Sequence, residues 1–90
     1  MSARIVALVD DRAERPGLEA EHGLSFYIEA DGAPVLLDTG RSGGVLARNA
    51  AALGVDLGHV GAIVLSHGHY DHTGGLADAL RLAPNARVFA

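Results

Sequence analysis

The sequence predicts a mixed α/β domain with the element order β, β-hairpin, α, β, α, β. The prediction rests on short apolar runs, on one stretch where apolar and polar residues alternate, and on two stretches with helical spacing. A period of two is typical of a half-buried strand, and a period near 3.6 is typical of an amphipathic helix. The 90 residues suffice for one small domain with a modest core.

The first half of the chain contains three predicted strands. Arg4 to Val9 contains a continuous apolar run and is predicted to be a buried strand. A polar loop over residues 10–22 follows. Residues 24–30 alternate, Asp31-Gly32 is typical of a two-residue hairpin turn, and residues 34–38 form the returning strand.

The second half predicts two helices, over residues 46–53 and 76–83, and two strands, over residues 63–65 and 87–90. Apolar residues recur at helical spacing in both helices. A glycine or a proline follows each helix as a stop signal. A glycine-rich loop over residues 39–44 precedes the first helix.

Residues 66–75 carry the clearest chemical signal. Four side chains within them can bind a metal ion: His67, His69, Asp71 and His72. In an extended chain the first two imidazoles can face one point, and a turn into a helix would direct the last two ligands toward a second point. Imidazole and carboxylate suit zinc, with iron or manganese as alternatives. The sequence therefore predicts a site for one or two divalent metal ions.

The stretch from His67 to His72 resembles the His-x-His-x-Asp-His motif of the metallo-β-lactamase fold superfamily. Residues 20–25, 37–40 and 49–50 are similar to the branch of dihydropterin-ribofuranosylaminobenzene-phosphate synthase-like proteins. The resemblance implies the N-terminal part of an αββα sandwich. We expect residues 1–90 to form a single partial domain, truncated at its C-terminal end, because the later ligands of that fold have no counterpart here.

The resemblance also implies a metal-dependent hydrolase that activates water at a dinuclear site to attack an ester, amide or phosphoester. His67 and His69 would hold one metal, and Asp71 and His72 the other, with Asp71 also a catalytic candidate. Asp38 would lie beside the metals and orient ligands or water, although a turn-forming aspartate is the alternative. The 90-residue chain alone is expected to be inactive unless further sequence or a partner chain completes the site.

Two residues outside the motif are candidate substrate contacts. His22 matches a stretch of the resembled branch, although a lone histidine in a polar loop is as often merely solvated. Arg41 lies in the glycine-rich loop, where it can assist anion binding at the N-terminus of the following helix.

Two rival functions remain open at this point. The chain can be a non-catalytic metal-binding fragment that associates through an open sheet edge, as a homo-oligomer or with a complementing chain. Residues 38–40, Asp-Thr-Gly, also resemble the motif of a retroviral-type aspartic protease, in which Asp38 of two copies would share a proton. Arg41 departs from that pattern, which has a small residue there.

Composition argues against several classes of protein. A net charge of −4 without a basic patch argues against binding to nucleic acid or to an anionic membrane. The absence of cysteine excludes disulfides and thiolate ligands. No stretch approaches a membrane span, and the N-terminal apolar run is too short for a signal peptide. We therefore expect a cytoplasmic protein that acts on a small molecule.

Overall fold

The computed structural model describes residues 3–10, 17–30, 32–66 and 73–90. The strands in these ranges are β1 (Arg4–Val9), β2 (Ser25–Glu29), β3 (Val35–Leu37), β4 (Ala62–Val64) and β5 (Arg87–Phe89). The helices are α1 (Gly44–Ala52), a 3-10 helix (Leu57–His59) and α2 (Leu76–Leu82). The predicted α/β class and element order are confirmed. The 3-10 helix was not predicted.

The five strands form one sheet in their order along the chain. β1 pairs antiparallel with β2, and β2 pairs antiparallel with β3. β3 and β4 are parallel, as are β4 and β5. Parallel neighbours need a crossover connection, and α1 and α2 lie in the two connections. β1 and β5 are therefore the edges of the described sheet.

β2 and β3 form the predicted hairpin. Ile28 lies opposite Val35, which is the register that a two-residue turn at positions 31 and 32 requires. Gly32 has a φ of 85°, a left-handed value that glycine adopts readily, whereas residue 31 lies outside the described residues. The returning strand begins one residue later than predicted, after Pro34, which has no N–H for the ladder.

Both helices end close to their predicted stop signals. Gly54 has a φ of 70° and follows α1, while Pro84 follows α2 after one intervening residue. The helices have nine and seven residues. Within the described ranges, neither has the length and apolar character needed to cross a membrane.

The helices cover one face of the sheet. Tyr27, Leu36 and Ile63 lie opposite one another in neighbouring strands and are buried. They belong to one core with Leu46 of α1 and Ala79 of α2. Removal of this apolar surface from water holds the helices on the sheet.

The other face of the sheet, which we call the open face, is also apolar. Its side chains form two rows across the strands: Ile5, Ile28, Val35, Ala62 and Arg87, and then Ala7, Phe26, Leu37, Val64 and Phe89. None of them belongs to the core under the helices. An apolar sheet face of this extent is usually covered by a second layer.

The prediction that Arg4 to Val9 is a buried strand is wrong for the first half of β1. Leu8 and Val9 are buried, but Ile5 on the open face is 67% exposed. The apolar run reflects two apolar faces, and in the described part of the chain the helices cover only one of them.

Candidate functional site

The predicted metal ligands His67, His69, Asp71 and His72 lie outside the described residues. The described residues alone contain no group of three or more His, Cys, Asp or Glu side chains that could hold a metal ion. The ligand set therefore stays a prediction. The structure does describe the two flanks of this segment, which end at residue 66 and begin again at residue 73.

Asp38 holds the N-terminal flank. Its side chain is fully buried at the end of β3. One carboxylate oxygen accepts the N–H of Ser66 at 2.7 Å, and the other accepts the Ser66 hydroxyl at 2.6 Å. The residue directly before His67 is thus bound to Asp38 through both its backbone and its side chain.

The backbone of Asp38 is held as firmly as its side chain. Its N–H donates to the carbonyl of Val64 at 2.8 Å, and its carbonyl accepts the buried hydroxyl of Ser25 at 2.7 Å. Its φ is 60°, a left-handed value that is uncommon outside glycine. Such a conformation costs of order 1–3 kcal/mol and persists where the surroundings enforce it. The contacts from β2 and β4 supply that enforcement.

Gly40 and Thr39 hold the C-terminal flank. The N–H of Gly75 donates to the carbonyl of Gly40 at 3.1 Å. A Cβ on Gly75 would lie 2.4 Å from the carbonyl oxygen of Thr39, so only glycine fits without a backbone shift. Residues 38–40, which we call the anchor loop, therefore contact both flanks of the predicted ligand segment.

Glu21 ties a second segment to the residues that follow the anchor loop. Its carboxylate accepts the N–H of Arg41 at 3.0 Å and the N–H of Ser42 at 3.4 Å. The sequence pointed to Glu21 only through the resemblance over residues 20–25, without the partners of its carboxylate. A carboxylate twenty residues away in the chain leaves no periodic signal.

The candidate substrate residues lie in these two adjoining segments. The N–H of Gly40 donates to the carbonyl of Leu24 at 2.9 Å, so residues 21–25 run beside residues 38–42. His22 and Arg41 are both exposed. The structure thus places them beside the anchor loop, and their contact with a substrate stays a prediction.

A buried asparagine anchors the segment that leads to His22. The amide nitrogen of Asn49, on α1, donates to the carbonyls of Leu8 and Glu19, both at 2.8 Å. Its amide oxygen accepts the N–H of Glu19 at 2.8 Å. On the surface, the hydrogen bond from Arg48 holds the pKa of Glu19 below its usual range. The sequence pointed to Asn49 only through the resemblance, and it gave no indication of the hydrogen bonds to Leu8 and Glu19.

The geometry of Asp38 does not suit an aspartic protease dyad. In such a dyad two carboxylates meet and share a proton. The Asp38 carboxylate is fully buried, and each oxygen accepts a hydrogen bond from Ser66. Its geometry fits a carboxylate that orients a neighbouring segment.

Comparison with known proteins identifies relatives. The model of the metallo-beta-lactamase superfamily matches residues 18–88. The chain is 38% identical over 61 residues to the 7,8-dihydropterin-6-methyl-4-(beta-D-ribofuranosyl)-aminobenzene-5'-phosphate synthase of Methanocaldococcus jannaschii, covering 63% of this chain and 21% of that protein. It is 40% identical over 72 residues to an uncharacterized protein of the same archaeon, covering 80% and 27%. The chain thus spans about a quarter of the length of these relatives.

Solved structures give a consistent result. A metal-dependent hydrolase of the beta-lactamase superfamily matches with a TM-score of 0.70 and 44% identity, covering 83% of this chain and 26% of that protein. A subclass B3 metallo-beta-lactamase of Bradyrhizobium japonicum matches with a TM-score of 0.63 and 30% identity, covering 72% and 25%.

Proposed function

Because the chain belongs to the metallo-β-lactamase superfamily, we propose that it supplies the first half of a metal-dependent hydrolytic site. The site would act on an ester, amide or phosphoester of a small molecule. The donor set, three imidazoles and one carboxylate within six residues, suits zinc first and iron or manganese second. Two such ions, when bound, supply a nucleophilic water at neutral pH and stabilise negative charge on the substrate.

The anchor loop is the observation that supports this proposal most. Ser66 is bound to Asp38, and Gly75 is bound to Gly40, on either side of residues 67–72. Ordering a free segment around a metal costs conformational entropy. Flanks that are already fixed reduce that cost, which favours a built metal site over a solvated histidine-rich tract.

Different residues of this chain would bind the metals, orient the ligand segment and contact the substrate. His67 and His69 would bind one metal, and Asp71 and His72 the other. The buried carboxylate of Asp38 would orient the segment that carries them. Beside the anchor loop, an exposed guanidinium and an exposed imidazole, those of Arg41 and His22, would contact the substrate.

We further propose that the 90-residue chain alone is not a complete catalyst. Each metal ion of a hydrolytic site needs about three protein ligands and an open position, whereas the motif offers four residues for two ions. The open face supports the same view, because a second layer of structure would both cover it and carry further ligands. Further sequence or a partner chain would supply that layer.

A chimera tests this function. The chain would replace the matched quarter of the 44% identical hydrolase, and zinc-loaded protein would be assayed on p-nitrophenyl esters, bis-p-nitrophenyl phosphate and a lactone. Only the substrates that the unmodified hydrolase turns over are used to compare its activity with that of the chimera. We expect turnover by the chimera, none by the 90-residue chain and none by the chimera with His69→Ala. A folded, metal-loaded chimera without turnover would contradict the proposal.

A further inference from the structure

The backbone of β5 presents hydrogen-bonding groups to the edge of the described sheet. The N–H of Arg87 donates to the carbonyl of Gly61 at 3.0 Å. The carbonyl of Phe89 accepts the N–H of Leu65 at 2.8 Å. Both strand residues therefore direct their polar groups toward the β4 side. Because neighbouring residues of a strand direct these groups to opposite sides, the N–H and the carbonyl of Val88 point away from β4, toward the edge.

The side chains at this edge are apolar on both faces of the sheet. Val88 lies beside Ile63, which is buried beneath the helices, yet Val88 itself is 41% exposed. Phe89 lies on the open face and is 49% exposed. An edge strand with outward backbone groups and exposed apolar side chains is a template for pairing with another chain.

The opposite edge of the described sheet is less suited to pairing. β1 has an irregular register with β2 between Ala7 and Val9. Such an irregularity bends an edge strand and disrupts the row of groups that another strand would pair with. Arg4 adds a charged side chain to this edge, where it pairs with Glu29 at 3.4 Å. Of the two edges, β5 is therefore the one that fits a further strand.

The residues of β5 are complementary to themselves. We propose that β5 pairs antiparallel with β5 of a second copy of this chain, with Val88 opposite Val88. In this register the N–H of each Val88 donates to the carbonyl of the other, as in the hydrogen-bonded pairs of an antiparallel ladder. Arg87 of each copy then lies opposite Phe89 of the other, at the pair position where side chains approach most closely.

The side chains favour this register. Within one chain the Arg87 guanidinium already lies over the Phe89 ring, 5.8 Å from its centre. A cation is attracted to the face of an aromatic ring, and the proposed register forms the same kind of contact twice between the copies. A pair centred on Arg87 instead would place two guanidinium groups opposite each other, which is unfavourable.

The dimer leaves the open face accessible. Side chains of residues directly opposite each other in a sheet lie on the same side of it. The helices of both copies would therefore lie on one face of the joined sheet, and the two open faces would form one apolar surface on the other. The inference goes beyond the proposed function, because it requires no metal site and leaves room for the second layer.

Proline at position 88 tests the backbone pairing. Val88→Pro removes the N–H that faces the edge and keeps the hydrogen bonds of Arg87 and Phe89 on the β4 side. Val88→Thr is the matched control, because threonine has nearly the same shape and keeps that N–H. Sedimentation equilibrium in a buffer with a chelator, which excludes bridging by metal ions, gives the dissociation constant of the dimer. We expect Val88→Pro to raise this constant about tenfold or more and Val88→Thr to leave it unchanged.

A charge exchange tests the register. Phe89→Lys alone places a second cation opposite Arg87 of the other copy, and we expect it to weaken the dimer about tenfold or more. Addition of Arg87→Glu to the same chain places a carboxylate opposite each new ammonium group. We expect this double variant to recover the dimer.

The results that would overturn the inference differ for each variant. A monomeric unmodified chain at millimolar concentration would exclude the dimer, and a dimer unaffected by Val88→Pro would exclude pairing of the β5 edges. A double variant as weak as Phe89→Lys alone would exclude the register centred on Val88. Circular dichroism and urea unfolding show whether each variant is folded. If Val88→Pro fails to fold, the charge exchange, which changes exposed side chains alone, decides the question.

Discussion

Gly75 lies so close to Thr39 that a Cβ on the glycine would be 2.4 Å from the threonine carbonyl oxygen. The chain that leaves the predicted ligand segment therefore passes directly against the anchor loop. The same loop binds the chain that enters the segment, through Asp38 and Ser66. A loop in contact with both flanks links the stability of the fold to the two ends of the predicted ligand segment.

Gly75→Ala should destabilise the fold by about 1–3 kcal/mol, because the new methyl group must displace backbone atoms. Urea unfolding followed by circular dichroism measures the change. Gly44→Ala is the matched control. Its Cβ would meet only the flexible end of Arg48, and alanine favours the first turn of α1. Equal stability of the two variants would show that the contact with Thr39 is not tight.

Asp38→Asn should lower stability by about 1–3 kcal/mol, since a neutral amide replaces a carboxylate whose two oxygens accept charge-assisted hydrogen bonds from Ser66. Asparagine tolerates the left-handed backbone at this position, so the change reports on the side chain. Thermal and urea unfolding provide the measurement. Asp56→Asn is the control, because an amide oxygen can still accept the N–H of Gly58. An Asp38→Asn variant as stable as this control would contradict the role assigned to Asp38.

Asn49→Ala should cost about 2–3 kcal/mol, because it leaves backbone groups of Leu8 and Glu19 without their amide partner. Arg48 also binds Glu19, but that ion pair is solvent-exposed. Arg48→Ala should therefore lower the stability much less than Asn49→Ala. The contribution of the ion pair should fall as the pH drops through the lowered pKa of Glu19. Unfolding measured at several pH values distinguishes the two variants. A larger loss of stability for Arg48→Ala than for Asn49→Ala would contradict the view that Asn49 is the main anchor of this segment.

The open face and the β5 edge should make the chain self-associate. Phe89 on β5 is 49% exposed and lies in the second row of the open face. Phe89→Lys should therefore lower the mass measured by light scattering coupled to gel filtration, because a charge there opposes pairing of edges and faces. Leu80→Lys on α2, 37% exposed, is the control and should leave the mass unchanged. A monomeric unmodified chain at high concentration would refute the expectation.

The sequence predicted the elements whose signals are local. Alternation from residue 24 to 30 and the Asp31-Gly32 pair predicted the β2–β3 hairpin, whose register fits that turn. Helical spacing likewise predicted α1 and α2 to within a few residues. Such patterns show which face of a helix or strand is apolar, and a few neighbouring residues are enough to show it.

The hydrogen bonds between distant parts of the chain could not be predicted in this way. Gly75 binds Gly40 from the far side of the ligand segment, and Asn49 binds Glu19 thirty residues away. Hydrogen bonds between distant residues leave no period in the sequence. The short 3-10 helix had a local signal that was missed, the Asp56 side chain that accepts the N–H of Gly58.

The metal content of the purified, tag-free chain tests the central claim most directly. The chain would be dialysed against zinc, passed through a desalting column and analysed for metal by mass spectrometry, beside His69→Ala and the control His59→Ala. His59 is an exposed histidine paired with Asp56, outside the predicted ligand segment. The account predicts bound zinc in the unmodified chain and in His59→Ala, and loss of zinc in His69→Ala. A chain without zinc, or one whose zinc content is unchanged by His69→Ala, would contradict it.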